Sequence, residues 1–301
     1  MLKWEYGITF VCNAIPDYIA SEITIDGFNL FQIENESEFF QIILNRDIIV
    51  LDGYNFDLSY QKTVKKLSFK LVCIDDIHEQ KFIADLIINH APGVSEVDYK
   101  AALSTRFALG LDYALLRPVF LNQALIRREI KQVSTVLICF GGADEINLTQ
   151  QIVSDVLHLN KFKEIIVITG TAYRHLNELK YFINGSEIIS HIHQANESEM
   201  VSSMLKADLA IVPSSGILVE VLAVGCIALS GYYINNQMNI YNGYKKLDAI
   251  IDAGDFRNCD ISSILAGTSN LKQKHIIDGK SGTRIVEKLK LLENENTDIS
   301  R

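Results

Sequence analysis

The sequence predicts an α/β protein built as two Rossmann-like halves facing across a cleft. Three observations point there. Short β-branched runs alternate with helix-period segments along most of the chain. Several of the runs are apolar at nearly every position, as strands are when helices cover both faces of a parallel sheet. The runs fall into two sets, and 301 residues are enough for two domains.

In the first set, strands are expected at Ile8–Cys12, Phe28–Ile33, Ile48–Asp52, Phe69–Ile74 and Asp85–Asn89. Each is a five- or six-residue run rich in Ile, Val, Leu or Phe. Helices are expected at Glu36–Leu44 and Leu58–Leu67, where apolar residues recur every three or four positions. In the second set, strands are expected at Thr135–Phe140, Ile165–Gly170, Glu187–Ser190, Asp208–Val212 and Cys226–Ser230, with helices at Leu148–Leu157, Ser198–Leu205 and Gly216–Val224. The interval from Asp112 to Val133 holds Arg117-Pro118 and the charged run Arg127-Arg128-Glu129. Proline disfavours helix in the residue before it, so the domain boundary is placed there. The expected organisation is an N-terminal Rossmann-like domain over 1–120, a linker over 121–133, a C-terminal nucleotide-binding domain over 134–292 and a polar tail over 293–301. Open parallel sheets place their ligand crevices at the carboxyl ends of the strands.

Composition removes several function classes. The 28 basic and 37 acidic side chains give a net charge of −9, and no basic stripe offers counterion-release binding to nucleic acid. The five cysteines are scattered, with no Cys-x-x-Cys pair, which argues against a disulfide framework or a zinc site. Four of them, Cys12, Cys73, Cys139 and Cys226, lie in apolar runs and read as small buried hydrophobes of a reducing compartment. The first residues lack the apolar core of a signal peptide, and the longest apolar stretch, Gly216 to Leu229, is short and carries Glu220. The expectation is a cytoplasmic protein without a transmembrane segment.

Polar residues just past the strands are the candidates for chemistry. After Cys139-Phe140 come Gly141, Gly142, Ala143, Asp144, Glu145, Ile146 and Asn147, then a helix. Glycines let backbone N–H groups approach an anion, and a helix N-terminus adds partial positive charge, which suits phosphate. A plain tight turn fits the two glycines as well. After Val212-Pro213 come Ser214, Ser215 and Gly216, where helix capping is the commoner use of serine. Glu220 stands in an otherwise apolar helix, either complementing the dipole or accepting hydrogen bonds from ligand hydroxyls such as a ribose diol. Asn235, Asn236 and Gln237 follow the next strand and carry amides suited to sugar hydroxyls or phosphate oxygens, or serve as a solvated loop with a cap. In the first half, Asp52, Gly53 and Tyr54, and the pair Asp75-Asp76, occupy equivalent places. His191 and His193 lie two apart and share one side of a strand. No Ser-His-Asp order, metal set or Walker loop can be assembled.

These segments together resemble the nucleotide-sugar hydrolases of pseudaminic acid biosynthesis and the related spore-coat polysaccharide proteins of the SpsG type. The resemblance runs from about Trp4 to Phe256. It rests on Leu51-Asp52-Gly53-Tyr54, Cys73-Ile74-Asp75-Asp76, Leu109 to Pro118, Phe140-Gly141-Gly142-Ala143-Asp144, Thr169 to Leu176, Ser215 to Glu220 and Asn236-Gln237. It implies the glycosyltransferase-B fold and cleavage of the anomeric C–O bond of a UDP-sugar by water, with release of UDP and no cofactor or metal. Gly141, Gly142, Asp144, Asn147, Ser215 and Gly216 would line the diphosphate side. Glu220 would contact the uridine ribose, Asn236 and Gln237 would lie beside sugar and phosphates, and Asp52 and Tyr54 would approach the sugar from the other domain. Amide dipoles that hold the diphosphate charge make it a ready leaving group.

The sequence departs from the family in one respect. The family opens with a strand, a Gly-rich loop carrying a Gly-His pair, and a helix, and the loop histidine is its expected catalytic residue. No Gly-His pair occurs here, and Met1 to Trp4 resemble the end of that helix. The favoured expectation is a reading-frame start set too late, the other being a degenerate homologue. The loss would remove a central strand and leave neighbouring strand edges unpaired, and this chain would bind nucleotide poorly and hydrolyse little. Besides the UDP-sugar hydrolase, a glycosyltransferase of the same fold and a non-catalytic nucleotide-sugar-binding protein remain as readings.

Overall fold

The computed structural model describes residues 5–267 and 273–294. The helix end expected at Met1–Trp4 and all but the first two residues of the expected tail lie outside that range. Contacts group the chain into two units. Among the described residues, unit 1 holds 5–89, 95–109 and 283–294, and unit 2 holds 90–94 and 110–282.

Unit 1 contains β1 (Thr9–Cys12), α1 (Asp17–Ile25), β2 (Asn29–Gln32), α2 (Glu36–Ile42), β3 (Ile48–Asp52), α3 (Leu58–Leu67), β4 (Lys70–Ile74), β5 (Lys81–Phe82), β6 (Leu86–Asn89), β7 (Lys100–Ala101) and β8 (Arg106–Leu109). β3, β4, β6 and β8 form one parallel sheet in that order, while β1 pairs in parallel with β2 as a separate two-stranded sheet. All four residues of β6 are buried, whereas Phe10 of β1, Phe31 of β2 and Val50 of β3 are exposed. Asn35 and Asp57 start α2 and α3 by accepting backbone N–H groups from Ser37 and Tyr60.

Unit 2 contains α4 (Pro118–Ala124), β9 (Thr135–Cys139), α5 (Leu148–His158), β10 (Glu164–Thr169), α6 (Leu176–Ile183), β11 (Ile189–His193), α7 (Glu197–Lys206), β12 (Leu209–Pro213), α8 (Gly216–Val224), β13 (Ile227–Tyr232), α9 (Met238–Lys246), β14 (Ile251–Asp255) and α10 (Ile261–Gly267); α11 (Ser281–Asn294) starts here and runs into unit 1. Its six strands are parallel in the order β11-β10-β9-β12-β13-β14. This is the doubly wound Rossmann order, in which the winding reverses between the first and fourth strands. Alternation explains the apolar runs. Val136, Ile138 and Phe140 pack into one core, and Leu137 and Cys139 into the other.

The expected boundary at 120 and linker over 121–133 differ from this grouping. α4 crosses the proposed edge and packs against α7 and α8. Phe120 is fully buried in the unit 2 core, so Pro118 opens a packed helix rather than a tether. The strand expected at Glu187–Ser190 lies at Ile189–His193, where Ile165 pairs with Ile189 and Thr169 with His193.

Candidate functional site

The crevice at the carboxyl ends of β9 and β12 is where a doubly wound sheet offers a ligand its natural place. The turn after β9 begins with Gly141 at φ +80°, a conformation that penalises a Cβ. It is braced from β10: a Cβ on Gly170 would stand 2.5 Å from the Gly142 Cα, and Ala172 N–H donates to the Gly142 carbonyl at 3.1 Å. Gly142 itself has a negative or extended φ, and a Cβ there would meet nothing within 4 Å.

The helices that follow β9 and β12 begin differently. Asp144 is 2% exposed, and its two carboxylate oxygens accept from Leu148 N–H at 2.9 Å and Thr149 N–H at 2.7 Å. The start of α5 is thus already satisfied by an internal anion. Asn147 is likewise engaged. Its Oδ1 accepts from the Tyr173 hydroxyl at 2.5 Å, and its Nδ2 donates to Gln150 at 3.3 Å. At α8, Ser215 is the N-cap residue, yet its side chain makes no capping hydrogen bond. Ser214 makes none to the helix either: it is buried, with its hydroxyl 2.9 Å from that of Ser230. The capping role open to these serines in the sequence is not the one they take here. Gly216 is exposed, and a Cβ on it would meet nothing within 4 Å.

Glu220 is one turn further along α8, on the face of Gly216. Leu218, Val219, Val221 and Leu222 around it are buried, and its own side chain is 16% exposed. Arg117 donates from Nη2 to Glu220 Oε1 at 2.9 Å. Burial pushes the Glu220 carboxyl above its ordinary value, and the Arg117 charge and hydrogen bond pull it back. On the loop after β13, Asn236 is exposed, whereas Gln237 is 5% exposed and its Oε1 accepts from Tyr233 N–H at 3.0 Å. Gln237 therefore shapes the loop, and Asn236 is its solvent-facing amide. At the end of β10, the Thr169 hydroxyl lies 2.9 Å from His191 Nε2 and 3.0 Å from His193 Nδ1, so the two histidines share one face of β11 as their spacing implied.

In unit 1, Asp52 ends β3 and Tyr54 lies just beyond it. Partial burial and the neighbouring Asp76 charge raise the Asp52 carboxyl. Tyr54 donates its hydroxyl to Asp76 Oδ2 at 3.0 Å, and Gln80 Nε2 donates to the Tyr54 carbonyl at 2.5 Å. Asp75 is buried and accepts from His78 N–H at 2.8 Å and from the Tyr99 hydroxyl at 3.0 Å, while Asn89 donates to Tyr99 at 2.8 Å. Asp75 is thus a turn and network acceptor, as an acidic residue just past a strand commonly is. Sequence reasoning missed Tyr99 and Arg117. Nothing local marks Tyr99, whereas Arg117-Pro118 enters the sequence reading as a domain boundary and as part of the Leu109 to Pro118 segment of the resemblance, with no role given to the arginine itself.

No protein-family model matches the chain. The chain is similar to an uncharacterized protein of Methanocaldococcus jannaschii, 24% identical over 250 residues, which covers 79% of this chain and 51% of that protein. The chain thus spans about half the length of that relative. It is also similar to the UDP-2,4-diacetamido-2,4,6-trideoxy-beta-L-altropyranose hydrolase of Campylobacter jejuni, 24% identical over 245 residues, covering 79% of this chain and 85% of that enzyme. Among solved structures, MurG of Acinetobacter baumannii aligns with a TM-score of 0.61 at 10% identity over 95% of this chain and 91% of its own. A glycosyltransferase of Rickettsia africae aligns at 0.54 and 11%, over 99% and 90% of the two chains. The fold is glycosyltransferase-B. The UDP-GlcNAc 2-epimerase of M. jannaschii shares it, with a TM-score of 0.53 at 13% identity over 94% of this chain and 99% of that one. Among the described residues, no helix is long and apolar enough to cross a membrane, and no group of three His, Cys, Asp or Glu side chains is placed to hold a metal ion.

Proposed function

We propose that unit 2 binds the UDP portion of a UDP-sugar and that the chain hydrolyses the anomeric C–O bond, releasing UDP. The observation that carries the reading is α8: an N-terminus without a side-chain cap, opening on a glycine that faces free space, with a buried carboxylate one turn on. A diphosphate at the first α8 amides receives backbone N–H donors and the positive end of the helix dipole. Glu220, leaning toward that end, accepts from the ribose hydroxyls. Gly141, Gly142 and Asn236 offer further amide donors, while Asp144, Asn147, Ser215 and Gln237 shape the turns that present them. The amide dipoles stabilise charge on the departing diphosphate, and water supplies the hydroxyl that stays on the sugar. Asp52 and Tyr54 are the residues proposed to handle sugar and water, Asp52 with a carboxyl that partial burial and the Asp76 charge raise above its ordinary value. The similarity to the Campylobacter hydrolase supports hydrolysis, and the shared fold of the Rickettsia glycosyltransferase keeps transfer as the second reading.

The test is incubation of the full chain with a panel of UDP-sugars, with UDP release assayed with and without acceptor saccharides. Slow release without acceptor is expected, since no Gly-His pair supplies the loop histidine of the resembled family. Release only with acceptor makes the protein a glycosyltransferase, and saturable binding without turnover makes it a nucleotide-sugar-binding protein. In parallel, Glu220→Gln is expected to weaken UDP binding by at least about tenfold in calorimetry, the loss of a charge-assisted hydrogen-bond acceptor. Absence of UDP binding by the unaltered chain overturns the reading.

A further inference from the structure

The unused feature nearest the α8 crevice is Arg117. Sequence and packing fix it before any ligand arrives. Pro118 restricts the residue ahead of it to extended backbone, and Arg117 sits at φ −60°, ψ 148° as the N-cap residue of α4. α4 packs on α8. The guanidinium carbon stands 4.8 Å from the centroid of the Phe120 ring, which is fully buried one turn on. From this perch Nη2 reaches Glu220 Oε1 at 2.9 Å, and Nη1 lies 3.7 Å from Glu197 Oε1 on α7. Among the described residues Glu220 Oε2 takes no hydrogen bond. The carboxylate is held by one oxygen and offers the other.

Resting on the nucleotide reading above, we propose that Arg117 is a positioning residue for ribose recognition: its ion pair with Oε1 fixes the Glu220 carboxylate so that Oε2 accepts the ribose hydroxyls of a nucleoside diphosphate. Two physical effects combine. A glutamate rotates about three bonds, and a planar guanidinium anchored on an aromatic ring removes that freedom. A buried carboxylate without a partner takes up a proton and becomes a poorer acceptor, and Arg117 opposes this. The charged and titratable groups around Glu220 are Arg117 from α4, Glu197 from α7 and the Cys139 thiol from β9. Arg117 is the one cation among them, so nothing else replaces its effect.

A role limited to neutralising a buried charge predicts that removing Arg117 weakens every ligand alike. A positioning role predicts a selective loss, read by comparing UDP with 2′-deoxy-UDP. Calorimetry on the full chain at neutral pH is expected to show the wild type preferring UDP by about tenfold or more, the worth of one good hydrogen bond to a charged acceptor. In Arg117→Gln the preference is expected to fall to about threefold or less, with 2′-deoxy-UDP affinity little changed. UDP affinity of that variant is also expected to fall from about pH 8 to pH 5 as Glu220 protonates, while the wild type varies less. Arg117→Lys, a point charge without the fork, is expected to lie between the two. An Arg117→Gln preference and pH profile matching the wild type overturn the proposal while leaving the nucleotide site standing. If Arg117→Gln does not fold, as judged by circular dichroism, Arg117→Lys decides, and an unchanged preference in it overturns the proposal. A wild type that binds neither nucleotide, or both equally, overturns the reading beneath it.

Discussion

Gly216→Ala separates the demands of the fold from those of the ligand. Within the folded chain nothing requires glycine there: the residue is exposed in the first turn of α8, with helical backbone, and an added methyl group meets no atom within 4 Å. Alanine is the better helix former and has less freedom to lose on folding, so the substitution is expected to stabilise the protein by about 0.5–1 kcal/mol. For a unit of this size that raises its melting temperature by roughly 1–4 °C. The same methyl group occupies the space through which an oxyanion would approach the first α8 amides. Loss of one charge-assisted hydrogen bond, worth about 1.5–3 kcal/mol, lowers affinity roughly 10- to 100-fold. Differential scanning fluorimetry and UDP calorimetry on one preparation read both effects, which have opposite signs. An alanine variant that gains stability and binds UDP within about twofold of the wild type would refute the placement of phosphate at α8.

The other perturbations test the frame around that helix. Gly170→Ala brings a Cβ to 2.5 Å from Gly142 Cα and 2.6 Å from its carbonyl oxygen, so it is expected to destabilise by about 1–3 kcal/mol in urea unfolding. Unlike Gly216→Ala, it lowers stability and binding together. Asp144→Ala removes the two backbone caps of α5 and is expected to cost about 1–2 kcal/mol, or roughly 2–8 °C in melting temperature. Burial, with His193 nearby, lowers the His191 pKa, so the folded state favours the neutral ring. Its contribution to stability is complete above the unfolded value of about 6.5 and declines as pH falls from there through the lower folded value. In His191→Gln the decline measured by thermal melts across that window is expected to flatten.

Much of the fold was legible because burial on both faces leaves a plain trace. β9, β10, β12 and β13 are nearly uninterrupted apolar runs, and their doubly covered sheet is the reason. In unit 1, β1, β2, β3, β4 and β6 were readable although Phe10, Phe31 and Val50 are exposed, since their residue types carry the β pattern whatever covers them, whereas the two-residue β5 and β7 and the strand β8 were not expected. β14 was not legible: Ile251-Asp252-Ala253-Gly254-Asp255 is an edge strand with Gly254 at φ +64° and a register shift opposite Ser230 and Gly231. α9 was missed for a related reason. Its residues include two Asn and a Gly, weak helix formers, and tertiary packing of Ile240, Tyr241 and Tyr244 holds it instead.

The candidate site shows where reading by residue type stops. In sequence, Gly141-Gly142 before α5 and Ser215-Gly216 before α8 are the same signal, a strand followed by small residues and a helix. Their difference lies in a side chain two residues past the second glycine. Asp144, at φ +41°, folds both carboxylate oxygens onto the α5 amides, whereas no serine side chain caps α8 and its Leu218 N–H goes to the Ser215 carbonyl at 2.9 Å. An anion approaching α5 meets a carboxylate already in place, and an anion approaching α8 meets amides. No spacing rule carries that distinction, because an Asp two residues after a Gly-Gly pair can equally face outward. Arg117 belongs to the same class of fact. It is 103 residues from Glu220 in sequence, and only the packing of α4 on α8 makes an arginine before a proline the partner of a carboxylate that otherwise stands alone among aliphatic side chains.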